Sequence, residues 1–261
     1  MKNRYKELEN VYTIIWALLS YYIVIMGTMY IAGLILGTEV QLYNVRKMIG
    51  AAVTLPVLYY VFYKPDKILW MEDEKRIFSG KRGIVSGGLV LLLGVLLSVS
   101  LSNVVLWIFP MQAGSSYEEA DMVLSSGSIV FQILNSVCGT PILEELLYRG
   151  IVYKRMRRIS KEWVAVVASS AIFGIMHFNL QQFLFAFLLG IALSCLMKFS
   201  GKLVFPVICH MAGNLISICR NHYGILSFSA QRNWIGFLST ALMLLAGVLC
   251  FYGFYKKNKE E

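Results

Sequence analysis

The sequence predicts an all-α, polytopic membrane helix bundle with about eight transmembrane helices. Three observations predict it. Of the 261 residues, 57% are apolar and only 15% charged, against ~45–50% and ~25% in soluble domains. The apolar residues gather in long runs, several of them near the ~20 residues a helix needs to cross a bilayer. The Lys and Arg residues fall almost wholly in alternate connections between those runs. An ordinary soluble enzyme, a disordered chain and a disulfide-stapled secreted domain are excluded.

In order, the runs are 11–36, 48–63, 84–108, 128–147, 163–180, 182–198, 203–220 and 233–254. A helix closes its own backbone hydrogen bonds inside lipid, so each run reads as one helix. The first run is too long for a cleavable signal peptide, and Glu7 and Glu9 precede it. Gly33 and Gly37, and likewise Gly87, Gly88 and Gly94, read as sites of close helix packing. The runs 182–198 and 203–220 share a very short connection and predict a tight helical hairpin.

Charge placement orients the bundle. With the N-terminus inside and eight crossings, 20 of the 24 Lys and Arg residues face the cytoplasm. They lie in the N-terminal segment, in 64–83 and 149–162, at Lys198 and Lys202, and in the C-terminal tail. Arg46, Lys47, Arg220 and Arg232 fall outside. The positive-inside rule then predicts an N-in, C-in topology. The net charge of +9 is a topology signal that also attracts anionic membrane lipids; no nucleic-acid partner is expected. The five cysteines are scattered singly without a CxxC pair and read as small packing residues.

Three parts follow. Residues 1–127 hold the first three helices and a basic cytoplasmic loop, 128–220 hold a polar-bearing helical core, and 221–261 hold the last helix and a basic tail. An ionisable group at mid-span costs at least ~2.5–3.5 kcal/mol on insertion scales. Here such groups concentrate in the core, within 140–150, 173–178 and 210–214.

Helical spacing separates their jobs. Glu145 and Arg149 are four apart with the acid first, the favoured order for an ion pair. Glu144 lies ~100° around the helix, stacked over Tyr148, and is expected to face a cavity. His210 and Asn214 are one turn apart and can aim at one spot. Glu144 and His177 each lie ~21 Å from the cytoplasmic ends of their helices. His210 lies only ~12 Å from Lys202, a mismatch that a deeper hairpin or a bend at Pro206 would correct.

A buried carboxylate beside an imidazole can take a proton from water. Donors such as His210 and Asn214 can hold the negative charge that then develops on an attacked carbonyl. Hydrolysis of a peptide bond is the reaction these groups fit. Other nucleophiles fit worse: Ser169 and Ser170 lack a GxSxG setting, and Cys209 points ~100° away from its neighbour His210. No HExxH zinc signature occurs. No cofactor is expected; the alternative is a divalent metal such as zinc held by Glu144, His177 and His210. A proton- or ion-coupled small transporter would use the same residues as a relay, but no inverted repeat or pair of broken helices is visible. A non-catalytic membrane scaffold is the second alternative.

The three segments resemble the CPBP family of intramembrane proteases, which includes the type 2 CAAX prenyl endopeptidases and the Abi and bacteriocin-immunity proteins. The family pattern is EExxxR, then FxxxH, then HxxxN. This chain reads Glu144-Glu145-Leu-Leu-Tyr-Arg149, Phe173-Gly-Ile-Met-His177 and His210-Met-Ala-Gly-Asn214. The resemblance covers about 128–220. It implies an eight-helix fold whose site opens toward the cytoplasm. It implies Glu144 and His177 activating water, His210 and Asn214 as the oxyanion site, Glu145 and Arg149 in support, and no metal. The implied substrate is a membrane-associated peptide or protein. The size of the chain and its lack of an organelle address resemble a bacterial member, a multi-pass protein of the cytoplasmic membrane. Peptide maturation, signalling-peptide processing or bacteriocin self-immunity are then the expected roles, rather than trimming of prenylated proteins. Beyond the core, His222 reads as a solvated loop residue. Glu118, Glu119 and Asp121 read as a solvated acidic face in the outer loop 109–127.

Overall fold

The computed structural model describes residues 2–65, 81–110 and 116–259, which contain helices and no strand. Much of the basic connection expected at 64–83, including Lys67, Lys75 and Arg76, lies outside the described residues. The helices are α1 (Lys2–Leu36), α2 (Tyr43–Val57), α3 (Lys81–Ile108), α4 (Ser116–Leu124) and α5, a long composite rod over Ile129–Ile159. They continue with α6 (Glu162–Ile175), α7 (Leu180–Ser200), α8 (Val204–Tyr223) and α9 (Trp234–Lys259). Each of the eight apolar runs lies largely on one of these helices.

Local chemistry starts and stops them. The Ser128 side chain accepts the Val130 N–H at the start of α5, and Asn179 accepts the Gln182 N–H at the start of α7. Gly201 (φ 67°) and Gly224 (φ 68°) end α7 and α8 in the left-handed conformation that glycine adopts without a Cβ penalty. Gly201 makes the turn of the hairpin expected between 182–198 and 203–220. The expected outer loop 109–127 contains a helix, α4, bent 110° from α5.

Length and composition qualify five described helices to cross a membrane, or six if the bent α4–α5 pair counts as one span. The five are α1, α2 with its flanking turns, α3, α7 and α9. The shortfall from eight has a physical reason. α6 has only 14 residues, a length of ~21 Å. α8 carries His210, Asn214, Arg220, Asn221 and His222 in place of apolar residues. The remaining outer faces are apolar, with Ile35 76% and Ile84 77% exposed, as lipid rather than water requires. The chain is a multi-pass membrane protein.

α5 lies at the centre and packs against α1, α2, α6, α7 and α8. α3 packs against both α8 and α9, α6 against α7, and α1 against α2. One glycine sets the α3–α8 approach: a Cβ on Gly94 would sit 2.1 Å from the Cys209 carbonyl oxygen, next to His210. Gly87 and Gly88 differ from the close-packing expectation, because a Cβ there would meet nothing within 4 Å. Gly94→Ala is therefore expected to cost about 1–3 kcal/mol by forcing α3 off α8. Gly88→Ala should be neutral or slightly stabilising through helix propensity. Thermal denaturation of the two variants in detergent checks the contrast.

Candidate active site

Glu144 and Glu145 sit in a short α-helical stretch, Thr140–Glu145, between two π-helical stretches of α5, Ile133–Gly139 and Leu146–Tyr153. Such π insertions recur at functional sites because they leave backbone groups without their usual partners. Here the chain of bonds can be followed. Thr140 N–H goes to the Asn135 carbonyl, five residues back. The next donor in that register is residue 141, a proline with no N–H. The Ser136 carbonyl is left over, and Asn214 of α8 supplies its donor through Nδ2 at 2.7 Å. Asn214 is thereby tied to the acidic helix, and one of its two amide hydrogens is in use.

Glu145 is fully buried. Its Oε1 accepts from Arg149 Nη1 at 3.0 Å and from His210 Nδ1 at 2.8 Å. The expected Glu145–Arg149 ion pair is present, but Glu145 does not serve Arg149 alone. Arg149, also fully buried, donates from Nη2 to the Gly190 carbonyl at 3.1 Å. Its guanidinium carbon lies 4.6 Å from the centre of the Phe173 ring, a distance at which cation–π attraction operates.

His210 lies between the two glutamates. A carboxylate only accepts, so the bond to Glu145 places a hydrogen on Nδ1. Nε2 faces Glu144, 3.9 Å from its Oε2. The Glu144 side chain is enclosed but not sealed, with 13% of it exposed. The depth mismatch expected for His210 is absent, since α7 and α8 bring its ring directly onto both acids.

His177 follows the end of α6. Its Nδ1 donates to the Phe173 carbonyl at 2.9 Å, which leaves Nε2 as the free nitrogen of the neutral ring. The Phe173 ring joins the three segments: it packs edge-on to His177 and His210, with centroids 5.1 and 5.9 Å away, and against Tyr148 at 4.9 Å. Arg149, His177 and His210 thus surround one aromatic ring, Glu145 and Glu144 reach them through Arg149 and His210, and Asn214 is held one turn along α8.

Several contributors carry no sequence signal. Gly190 stands in an apolar helix like any other glycine, yet a Cβ there would lie 3.1 Å from Arg149 Nη2. Asn44 and Asn135, both fully buried, are joined at 2.9 Å, and Asn44 also donates to the Leu124 and Ser126 carbonyls. This chain of amides fixes α5 to α2 above the site. The remaining expectations are met in part: His222 is exposed, but it stands in the last turn of α8 rather than in a loop and bonds Gln132 Oε1 at 2.8 Å, and Asp121 accepts from Asn221 at 3.2 Å. All five cysteines are unpaired. Among the described residues, no group of three or more His, Cys, Asp or Glu is arranged to hold a metal ion.

Residues 126–216, which contain all three motifs, match the family described as type II CAAX prenyl endopeptidase, Rce1-like. The chain is also similar to the Bacillus subtilis (strain 168) protein YdiL, provisionally named a membrane peptidase, at 28% identity over 117 residues. That match covers 45% of this chain and 45% of YdiL, so the chain spans less than half the length of the curated relative. No solved structure matches it. The likeness is to the Rce1-like type II CAAX prenyl endopeptidases and lies in the segment 126–216 of this multi-pass membrane chain.

Proposed function

We propose that the protein is an intramembrane endopeptidase that hydrolyses a peptide bond in a membrane-associated peptide or protein. The observation that carries this reading is that the His210 ring meets both acids, Nε2 3.9 Å from Glu144 and Nδ1 2.8 Å from Glu145, while His177 and His210 both pack edge-on to the Phe173 ring. In this mechanism Glu144 takes a proton from water, and the free Nε2 of His177 orients that water. The oxygen attacks the scissile carbonyl, and the proton passes from Glu144 to the departing amine. The oxyanion is held by His210 Nε2 and by the amide hydrogen of Asn214 not given to Ser136. His210 can donate from Nε2 only when both ring nitrogens carry hydrogen, because Nδ1–H is already given to Glu145. Glu145 and Arg149 hold that ring in place.

The rest of the reading follows from charge and family. The chain crosses the bilayer eight times with both termini in the cytoplasm, and the site opens to that side. The core 128–220 carries the chemistry, flanked by the N-terminal helices 1–127 and the last helix and basic tail 221–261. The setting is a bacterial cytoplasmic membrane, and the role is peptide maturation or bacteriocin self-immunity. The test compares the membrane peptidomes of cells expressing the wild type and Glu144→Ala at equal folded levels. A set of fragments that disappears with Glu144→Ala, and forms in isolated membranes despite EDTA, is expected. Identical peptidomes would replace hydrolysis with a transport or scaffold role, and loss with EDTA followed by rescue with zinc would reinstate a metal.

A further inference from the structure

His177 does not stand on a helix face like the other groups. It follows Met176, the C-terminal cap of α6, in a turn that runs through Phe178 at φ 59° to the start of α7. Its own N–H and that of Phe178 bond back to the Gly174 and Ile175 carbonyls, both at 3.1 Å. Asn179 Nδ2 bonds the His177 carbonyl at 3.3 Å. The Met176 carbonyl is one of the last of α6, where no further turn of helix supplies a donor. Its donor comes from far away in sequence: the Tyr22 hydroxyl of α1, at 3.4 Å.

Tyr22 is tied to the site on more than one side. Its ring packs edge-on to Phe178, with centroids 6.4 Å apart, and to the buried Tyr21 at 4.9 Å. Tyr148, one turn beyond Glu144, shares one packed core with Tyr21, and Tyr22 packs against that core. Tyr22 thus touches the turn that carries His177 and adjoins the stretch that carries Glu144. It lies outside the family-matched segment 126–216.

We propose that Tyr22 is a positioning residue of the site: by holding the Met176 carbonyl it sets where His177 Nε2 lies relative to Glu144. α1 is then more than a membrane anchor, because it completes the geometry of the core. The effect on turnover rests on the peptidase reading; the effect on the His177 ring does not.

The test uses the full chain in detergent with Tyr22→Phe, which removes one oxygen and keeps the ring. Diethyl pyrocarbonate labelling followed by mass spectrometry reads the access of each histidine. Labelling of His177 is expected to speed up about 3–10-fold, the opening that follows loss of one ordinary hydrogen bond. His222 serves as the exposed reference, and the rate at buried His210 is expected to stay unchanged. Equal His177 rates in the two proteins would overturn the proposal. An equal rise at His210 would also overturn it, because it would mean general loosening of the bundle. In a second arm, Tyr22→Phe should slow release of the Glu144-dependent fragments without lowering the melting temperature; unchanged release would restrict α1 to anchoring and overturn the proposal. If no Glu144-dependent fragments exist, the peptidase reading fails by itself and the labelling still decides the role of Tyr22.

Discussion

Arg149→Ala is expected to lose about 3–5 kcal/mol of stability, the range seen when one partner of a buried ion pair is removed. Against a total of ~5–15 kcal/mol for a folded protein, most of the folded yield should go with it. The reason is the isolation of Glu145. Its side chain and that of Arg149 are both 0% exposed, and its Oε2 makes no hydrogen bond. Without the guanidinium, the carboxylate would keep only the His210 bond in a setting with no route to water. The Gly190 carbonyl would lose its donor, and the Phe173 ring would lose the group that covers it. Arg149→Lys should fall between, since an ammonium keeps the charge but cannot fork between Glu145 and Gly190. The double variant Glu145→Leu with Arg149→Met should recover much of the folded yield while leaving hydrolysis dead. Size-exclusion profiles and melting curves read all three; a wild-type melting temperature for Arg149→Ala would remove the structural role of the pair.

Glu144→Gln and His177→Gln are each expected to slow hydrolysis by ~10²–10⁴-fold, the usual contribution of general acid–base groups. Folding should be intact in both, because Glu144 is not locked into the buried Glu145–Arg149 pair and His177 lies in a turn. The sharper expectation concerns the double variant. If the acid and the imidazole act on one water, removing both costs little more than removing either. A synthetic peptide spanning a cleavage site found in the membrane peptidome would serve as substrate. Multiplicative losses would mean that the two residues work at separate steps.

Composition and the spacing of apolar runs sufficed for the all-helical architecture, because lipid imposes one rule on every span: backbone polar groups must pair internally. Long apolar runs then leave little choice but helices, and the runs from 11–36 to 233–254 lie on them. The i, i+4 spacing of Glu145 and Arg149 was equally legible, since a helix converts that spacing into contact. The count of crossings was less so: α6 is apolar but short, α8 carries polar groups where a span carries apolar ones, and α5 qualifies only together with the bent α4.

What remained for the tertiary structure was every contact between helices. The 2.8 Å bond of His210 to Glu145 joins residues 65 apart in sequence, and nothing in either motif says which acid the ring will meet. Asn214 shares a face with His210 by spacing alone, yet its amide is engaged by a carbonyl freed through a π-helical register and Pro141. Gly94 is set apart from Gly88 only by the α8 backbone lying against it. Periodicity determines what a helix exposes along its own length. Which neighbour fills that face is decided by side-chain packing across the bundle, and one sequence read along its length holds no term for it.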